Sequence, residues 1–554
     1  MTSAPSGKTE PRPAATVILL RDTAAGPEVF MLQRTRGAAF LPGAYVFPGG
    51  AIDTSDGDPR AAKRVIGLTD AQASAKLGLA SGGLAYWVAA ARECFEEAGI
   101  LLAVDAGGAP VSPARAEKLA PLRREPFLPL LEAEDLYIPA DGFAYFSHWI
   151  TAAGRPRRFN TRFFVARAPQ DQAGAHDESE TVHSFWVRPS EALARHEKGE
   201  IEVIFPTRVS LGDLARFTSA DAALAHARSL GDIEVDAAVW ALDHEGSARL
   251  FRRADPAYHE IHWSDPEETG NTCFVIQPGV PKRLDARVTR LTAPNPGVMT
   301  GPGTNSYLVG EKDLAVIDPG PRIEAHLRKL AELGAGRIRW ILATHTHVDH
   351  SPGAALLKSL TGAQVLGRPA PQHGNQDASF APDRVLQHGD RIDLGGSTLR
   401  AIHTPGHASN HLCYMLEETG MLFTGDQVMQ GSTVVINPPD GNMRAYLDAL
   451  QGLIGEGAQI IAPGHGYLIG APDKEIRRLI AHRLAREGKV TAAIARLGEP
   501  TLDELVTAVY DDVHPAIHPV AKRSLTAHLE KLTFEGTVRT TAGRYALVKS
   551  PAAG

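Results

Sequence analysis

The sequence predicts a multidomain chain of mixed α/β and α+β architecture, and three observations predict it. Its 554 residues exceed what one hydrophobic core organises, so about three or four domains are expected. Strand-like and helix-like stretches follow one another along the chain, separated by Gly- and Pro-rich loops. Side chains suited to metal binding gather where strand-like runs of the second half end. The bulk numbers exclude several classes. Hydrophobic residues make up 43% and charged residues 22%, ordinary for a globular protein. A formal net charge of −7 argues against a polyanion-coating protein. Three cysteines, Cys94, Cys273 and Cys413, are too few and scattered for a disulfide framework. No apolar run approaches membrane-spanning length, so no membrane partner is expected and the default location is cytoplasmic.

The elements read in order as follows. Residues 1–13 are polar and Pro-rich and read as a disordered tail. TVILL and EVFMLQR are strand-like, joined by a turn at Ala25-Gly26-Pro27. LPGAYVFPGGAID is dense in Gly and Pro and must be a shaped loop. A polar, Ala-rich insert covers about 57–84, followed by a helix from Leu84 to Ala98 with Gly99 as its C-terminal cap. Strands and helices continue to about 225, and the stretch from 232 to 282 reads as a trailing part of the same domain, 14–282. PGVPKRLDARVTRL is the linker into a metal-rich domain, 283–470. Residues 471–554 form three helix-like runs and the strand-like end RTTAGRYALVK.

Residues 344–350 read THTHVDH, placing His345, His347, Asp349 and His350 at the end of the strand-like run RIRWILA. An ordinary core or surface segment has no reason to concentrate imidazoles in this way. Neutral imidazoles and a carboxylate suit zinc or a similar borderline divalent ion. His407 in HTPGH, Asp426 in LFTGD and His465 in IAPGHG each follow another strand-like run. Two cations sharing a carboxylate and a water would lower the pKa of that water towards neutrality.

A second cluster lies on the helix from Leu84 to Ala98. At roughly 100° per residue, Glu93, Glu96 and Glu97 fall on one face, and Val88, Ala91, Phe95 and Ala98 on the other. Such a face is either solvated or the seat of a divalent cation, for which oxygen donors favour magnesium or manganese.

These motifs carry three resemblances. From about 285 to 470 the His/Asp series is similar to the metallo-β-lactamase-fold hydrolases, which implies an αββα sandwich. It further implies that His345, His347 and His407 hold one metal, that Asp349, His350 and His465 hold the other, and that Asp426 bridges them. The two ions would be zinc, or iron or manganese, and Asp349 would orient the nucleophile. From about 14 to 260, Gly49-Gly50-Ala51 and the later Arg92-Glu93…Glu96-Glu97 resemble the Nudix hydrolases, an α/β/α sandwich fold. That likeness makes Glu93, Glu96 and Glu97 ligands of Mg²⁺ or Mn²⁺, puts Gly49 and Gly50 in the substrate loop and has Arg92 brace the glutamates. Glu97 is the first candidate for general base and Glu180 the weaker one. Three features depart from the pattern: Asp56 stands where Glu is usual, the insert splits the box, and Cys94 replaces an aliphatic residue. With LPGAYVFPGG before the box, it looks like the branch that includes peroxisomal coenzyme A diphosphatases. The tail looks like the small winged-helix domain of the β-lactamase-like protein 2 endoribonucleases. GPGTNSYLVG, whose Asn305 is taken as a loop residue on the substrate side, matches that group as well. So does PGHASNHLCY, although Asn410 replaces a more usual acidic residue; His411 is expected behind the ligands rather than among them.

The tail carries thirteen Lys and Arg against ten Asp and Glu, mildly basic on an acidic body. A phosphate-tracking surface normally shows more positive charge, so nucleic acid is admitted as a partner but not favoured. Arg477, Arg478, Arg483, Arg486 and Lys489 either line a groove or form a solvated helix face. The favoured reading is a two-headed hydrolase of small molecules: nucleotide or coenzyme A derivatives at the first head, a thioester or phosphodiester at the second. The alternatives are a single zinc-dependent activity with a regulatory nucleotide-binding Nudix domain, and an RNA-processing nuclease gripping single strands with the tail. Nothing in the sequence fixes an oligomeric state or suggests an antibiotic-destroying lactamase.

Overall fold

The computed structural model describes residues 9–37, 42–170, 172, 174–177, 181–373 and 376–548. Leu41 of the Gly/Pro loop, Glu180 and most of the expected tail 1–13 lie outside the described residues. The chain divides into two compact units, one of residues 1–240 with 249–253, the other of 241–248 with 254–554. Residues 254–282, expected to trail the first domain, therefore belong to the second unit. A buried ion pair ties part of this stretch there: Glu260, on the helix Tyr258–Ser264, meets Arg290 of the strand Val288–Thr292 at 2.5 and 2.9 Å. Among the described residues no helix is long and apolar enough to cross a membrane.

The first unit is built on a mixed sheet. Its path runs Thr181–Val187, Gly26–Arg34, Arg12–Thr23, Phe159–Arg167, Phe143–Ile150 and Val235–Ala237. The strand Arg12–Thr23 is apolar on both faces, and its period of two feeds two cores. Ala15, Val17 and Leu19 pack under the helix Leu84–Ala98, whereas Ile18 and Leu20 pack with Leu211, Leu214 and Leu224 of the helices Phe205–Leu214 and Ala220–Ser229. Helices on both faces give the α/β/α sandwich. Gly99 closes the helix Leu84–Ala98 with φ +65° and donates its N–H to Phe95 O. The insert folds locally into the short helices Pro59–Ala62 and Asp70–Leu77.

The second unit holds two sheets face to face. The strands Val288–Thr292, Asn305–Val309, Leu314–Ile317, Ile338–Leu342 and Gln364–Gly367 run in that order in one; Thr398–His403, Leu412–Leu416, Met421–Gly425 and Ile460–Pro463 do so in the other. Tyr307, Ile317 and Leu342 meet Leu399, Tyr414 and Phe423 between the sheets. The helices Glu324–Gly334 and Ala354–Thr361 cover one outer face and Met443–Leu453 the other, completing αββα. The helix Pro472–Leu497 is shared: Ile476 and Leu479 pack on the outer face with Met443–Leu453, while Val490, Ala493 and Ile494 join Leu505, Leu525 and Leu529 in a separate small core. The hairpin Val538–Thr541 with Arg544–Leu547 is the wing behind the helices Leu502–Val509 and His518–Phe534.

Candidate metal centres

Parallel strands deliver the second unit's ligands to one edge. Ile338–Leu342 leads to His345, His347, Asp349 and His350, Thr398–His403 to His407, Met421–Gly425 to Asp426 and Ile460–Pro463 to His465. Two groups of donor atoms result, each within 4.8 Å: His345, His347, His407 and Asp426 in one, Asp349, His350 and His465 in the other. In the first, His347 Nδ1 lies 3.0 Å from both His345 Nε2 and His407 Nε2. Asp426 reaches both groups, with Oδ2 3.6 Å from His407 Nε2 and Oδ1 3.4 Å from the Nε2 atoms of His350 and His465. Asp349 Oδ2 stands 3.4 Å from His465 Nε2 and 3.6 Å from His350 Nε2.

The far side is held in four of the five rings. His350 Nδ1 lies 2.9 Å from Asp318 Oδ2, His407 Nδ1 donates to Val435 O at 2.9 Å, and His465 Nδ1 donates to Gly303 O at 3.1 Å. His345 Nδ1 is 3.0 Å from Thr344 Oγ1, itself bonded to Asp318 Oδ2. Such outer bonds fix ring tautomer and orientation. The near side is not satisfied: His350 Nε2, His465 Nε2 and Asp426 Oδ1 are buried without a hydrogen-bond partner. Each such atom costs about 1–3 kcal/mol if left alone, and a cation among them satisfies all three. The residues fit two divalent ions.

The charges agree. Burial and neighbouring imidazoles push His345 well below its ordinary pKa and His347 down to about 3, leaving both neutral donors. Burial also opposes charge on His350, but Asp349, Asp426 and Asp318 outweigh it and hold its pKa well above the ordinary value. A proton there does in part what a cation does.

Gly425 shows why the sequence before Asp426 is constrained. Its φ is +46°, and a Cβ would lie 2.4 Å from Thr344 Oγ1 and 3.0 Å from His411 Nε2. His411 stacks on His345, with ring centroids 5.0 Å apart, and belongs to neither donor group. Asn410 donates to Thr346 Oγ1 and Pro369 O, tying down the ligand loop without a charge. Asn305 does not face a substrate. It is buried, and its amide nitrogen donates to Pro463 O and Gly466 O, bracing the loop that carries His465.

In the first unit Glu93, Glu96 and Glu97 line a cavity of about 640 Å³ together with Arg12, Arg34 and Trp149. They do not converge as the histidines do, and form no group of donor atoms within 4.8 Å. Arg92 lies among them, its Nη1 2.8 Å from Glu93 Oε1 and 2.9 Å from Glu96 Oε2. Asp56 grips the same guanidinium with both oxygens at 2.9 Å, so the departure from Glu still serves the bracing. Burial pushes Glu93 up to about 7 and raises Glu96 as well. Both are carboxylates that burial makes costly to ionise despite the Arg92 guanidinium beside them. Glu97 Oε2 accepts from Gly49 N at 3.0 Å. Gly50 leaves room for Glu93: a Cβ there would lie 2.4 Å from Glu93 Oε1.

Sequence reasoning did not single out Asp318. It follows the strand Leu314–Ile317 in the same strand-end position as the ligands and adopts φ +51°. That shared placement was the available signal.

The chain is similar to known proteins. The family model of the metallo-beta-lactamase superfamily matches residues 299–465, that of the beta-lactamase associated winged helix domain 501–544, and that of the NUDT19 Nudix domain 58–214. An atrochrysone carboxyl ACP thioesterase of Aspergillus chevalieri is 30% identical, over 52% of this chain and 92% of its own. A beta-lactamase-like protein 2 homolog of Drosophila melanogaster is 30% identical, over 47% and 92%. Thioesterase pkgB of Emericella nidulans is 33% identical, over 43% and 68%. Among solved structures, a metallo-beta-lactamase family protein from Thermus thermophilus is 24% identical, covering 48% of this chain and 100% of that one, with a TM-score of 0.41. A NUDIX hydrolase from Alicyclobacillus acidocaldarius is 28% identical, covering 39% and 96%, with a TM-score of 0.33.

Proposed function

Since the chain belongs to the metallo-beta-lactamase superfamily, with a Nudix domain earlier in sequence and a winged helix after it, we propose that this hydrolase has two heads. The second unit hydrolyses a thioester, and the first hydrolyses the diphosphate of a coenzyme A or nucleotide derivative. One observation carries the larger half. Asp426 turns one oxygen to His407 and the other to His350 and His465, so a single carboxylate joins both donor groups. His345, His347 and His407, and Asp349, His350 and His465, with Asp426 between them, would hold two divalent cations, zinc in this reading, which would make hydroxide available at neutral pH and polarise the acyl carbonyl. The chain's own residues do the rest. Asp426 sets the spacing of the two groups. Asp349 carries the more exposed carboxylate, its side chain 24% accessible against 12% for Asp426, and in this reading would accept a hydrogen bond from the attacking water. The thioester assignment draws support from the two relatives whose names include thioesterase.

In the first unit the cavity joins the glutamates to Arg12, Arg34, Arg155 and Arg157, with Trp149, Phe159 and Phe205 beside them. Cationic and aromatic walls around acidic residues suit a diphosphate carrying a ring or an acyl group. Magnesium or manganese at Glu93, Glu96 and Glu97 would offset charge on the phosphoryl oxygens. Glu97, buried and fixed by Gly49 N, is the base candidate.

The basic tail residues are largely spent within the protein. Arg478 pairs with Glu475, Arg486 and Lys489 pair with Asp512, and Arg483 is buried. This arrangement favours a packing role over a phosphate-tracking one. A hydrolysis panel of acyl-coenzyme A, acyl-carrier-protein thioester, coenzyme A and single-stranded RNA, run on wild type, Glu97→Gln and Asp349→Asn, tests the proposal. Thioester turnover lost only in Asp349→Asn and diphosphate turnover lost only in Glu97→Gln support it. Cleavage of RNA alone contradicts it.

A further inference from the structure

The stretch Val434–Ile436 lies outside any sheet, yet its polar backbone atoms are engaged by both the metal centre and the C-terminal segment. Val435 O points to the metal centre and accepts from His407 Nδ1 at 2.9 Å. Val434 O accepts from the Arg483 guanidinium, and Ile436 N donates to Ser524 Oγ at 3.3 Å. Arg483 sits on the helix Pro472–Leu497 and Ser524 on His518–Phe534, both of the C-terminal segment. Both side chains are buried, with residue exposures of 4% and 6%.

A second line of contact runs parallel to the first. The Arg483 guanidinium lies over the Tyr446 ring, 5.4 Å from its centroid, and Tyr446 Oη donates to Gln427 O beside Asp426. Gly406, next to His407, packs so closely on the helix of Tyr446 that a Cβ would lie 2.3 Å from Tyr446 Cα. The strap thus holds the His407 ring, and the helix of Tyr446 backs the residue before it. Because Val435 O can only accept, Nδ1 carries the proton and Nε2 presents its lone pair to the group of His345, His347 and Asp426.

We infer that Arg483 and Ser524 are positioning residues of the metal centre, through which the C-terminal segment holds the strap Val434–Ile436 and so the ring of His407. The role is selective. His465, in the other donor group, is braced instead by Gly303 O, Asn305 and the Glu260–Arg290 pair, whose Glu260 Oε2 accepts from Leu468 N. Disturbing the strap would therefore weaken the ion of the His407 group more than the other. This inference rests on the reading of the histidine cluster as a two-cation centre.

The test uses full-length wild type, Arg483→Met, Arg483→Lys, Ser524→Ala and Arg486→Met. Arg486 is on the same helix as Arg483 but pairs with Asp512, so its variant controls for general loosening of the tail. Stepwise Zn²⁺ affinities are measured by competition with a chromophoric chelator, and the visible spectrum of the Co²⁺ form reports ligand geometry. Arg483→Met and Ser524→Ala are expected to weaken one of two Zn²⁺ equivalents by about tenfold or more, to leave the other within about twofold, and to shift the Co²⁺ bands. Arg483→Lys should recover part of the loss, and Arg486→Met should match wild type. Should Arg483→Met fail to fold, Ser524→Ala carries the test, since it removes one hydroxyl. Folded variants that bind both ions like wild type, or lose both equally, overturn the inference. A wild type that takes up no Zn²⁺ overturns the metal reading instead.

Discussion

In the first unit an arginine already sits among the carboxylates, whereas at the strand ends of the second unit the donor atoms face one another with no Lys or Arg among them. Arg92 spans Asp56, Glu93 and Glu96 at 2.8–2.9 Å. His350 Nε2, His465 Nε2 and Asp426 Oδ1 have no hydrogen-bond partner at all. The two centres therefore differ in how their charge is balanced. The glutamate face is charge-balanced in part by its own guanidinium, so a cation completes it. The histidine face is held by outer bonds to Asp318, Val435 O and Gly303 O, and its unsatisfied inner atoms are those that two cations would satisfy.

The strongest way to break this contrast is to remove the shared carboxylate. Asp426→Asn should lower thioester hydrolysis by roughly a thousandfold and leave diphosphate hydrolysis unchanged; equal loss of both would merge the two centres into one. Next comes Glu97→Gln, for which initial rates on coenzyme A should fall by about a hundredfold or more while thioester rates hold. Unchanged diphosphate rates would remove Glu97 from the chemistry.

A smaller effect sharpens the contrast from behind the ligands. Asp318→Asn keeps the shape but weakens the hold on His350 and Thr344. Zn²⁺ affinity of the second donor group should drop by about 10- to 100-fold, read by chelator competition; an unchanged affinity would make Asp318 a packing residue only. The smallest effect is on stability. Burial pushes His148 in the first unit and His326 in the second down to about 4, below the ordinary 6.5. Both stay neutral in the fold while the unfolded chain takes up protons, so stability is full above about 6.5 and falls as pH drops towards 4. Each ring accounts for about 1 kcal/mol per pH unit in that window. Thermal midpoints of His326→Gln between pH 7 and 4.5 should fall less steeply than those of wild type; parallel curves would contradict this.

Legibility in the sequence followed locality. THTHVDH is contiguous, and His407, Asp426 and His465 each end a strand-like run, so seven donors could be read before any fold was known. The helix Leu84–Ala98 and its cap at Gly99 were readable for the same reason, because 3.6-residue periodicity and a C-terminal glycine are local signals. What stayed hidden depends on contacts between distant positions. Asn305 was expected to face substrate, yet it clamps the His465 loop from some 160 residues away. The helix Tyr258–Ser264 was assigned to the first domain because nothing local announces that Glu260 pairs with Arg290. Arg483 read as one charge on a basic helix face, and only folding shows it buried against Val434 O.

The central claim is that Asp426 joins two cation sites. Anomalous diffraction from crystals of the protein loaded with Zn²⁺ tests it most directly, by locating each ion without reference to activity. Two peaks are expected, one among His345, His347 and His407 and one among Asp349, His350 and His465, with an Asp426 oxygen bound to each. A single peak, or two with Asp426 touching neither or only one, would contradict it.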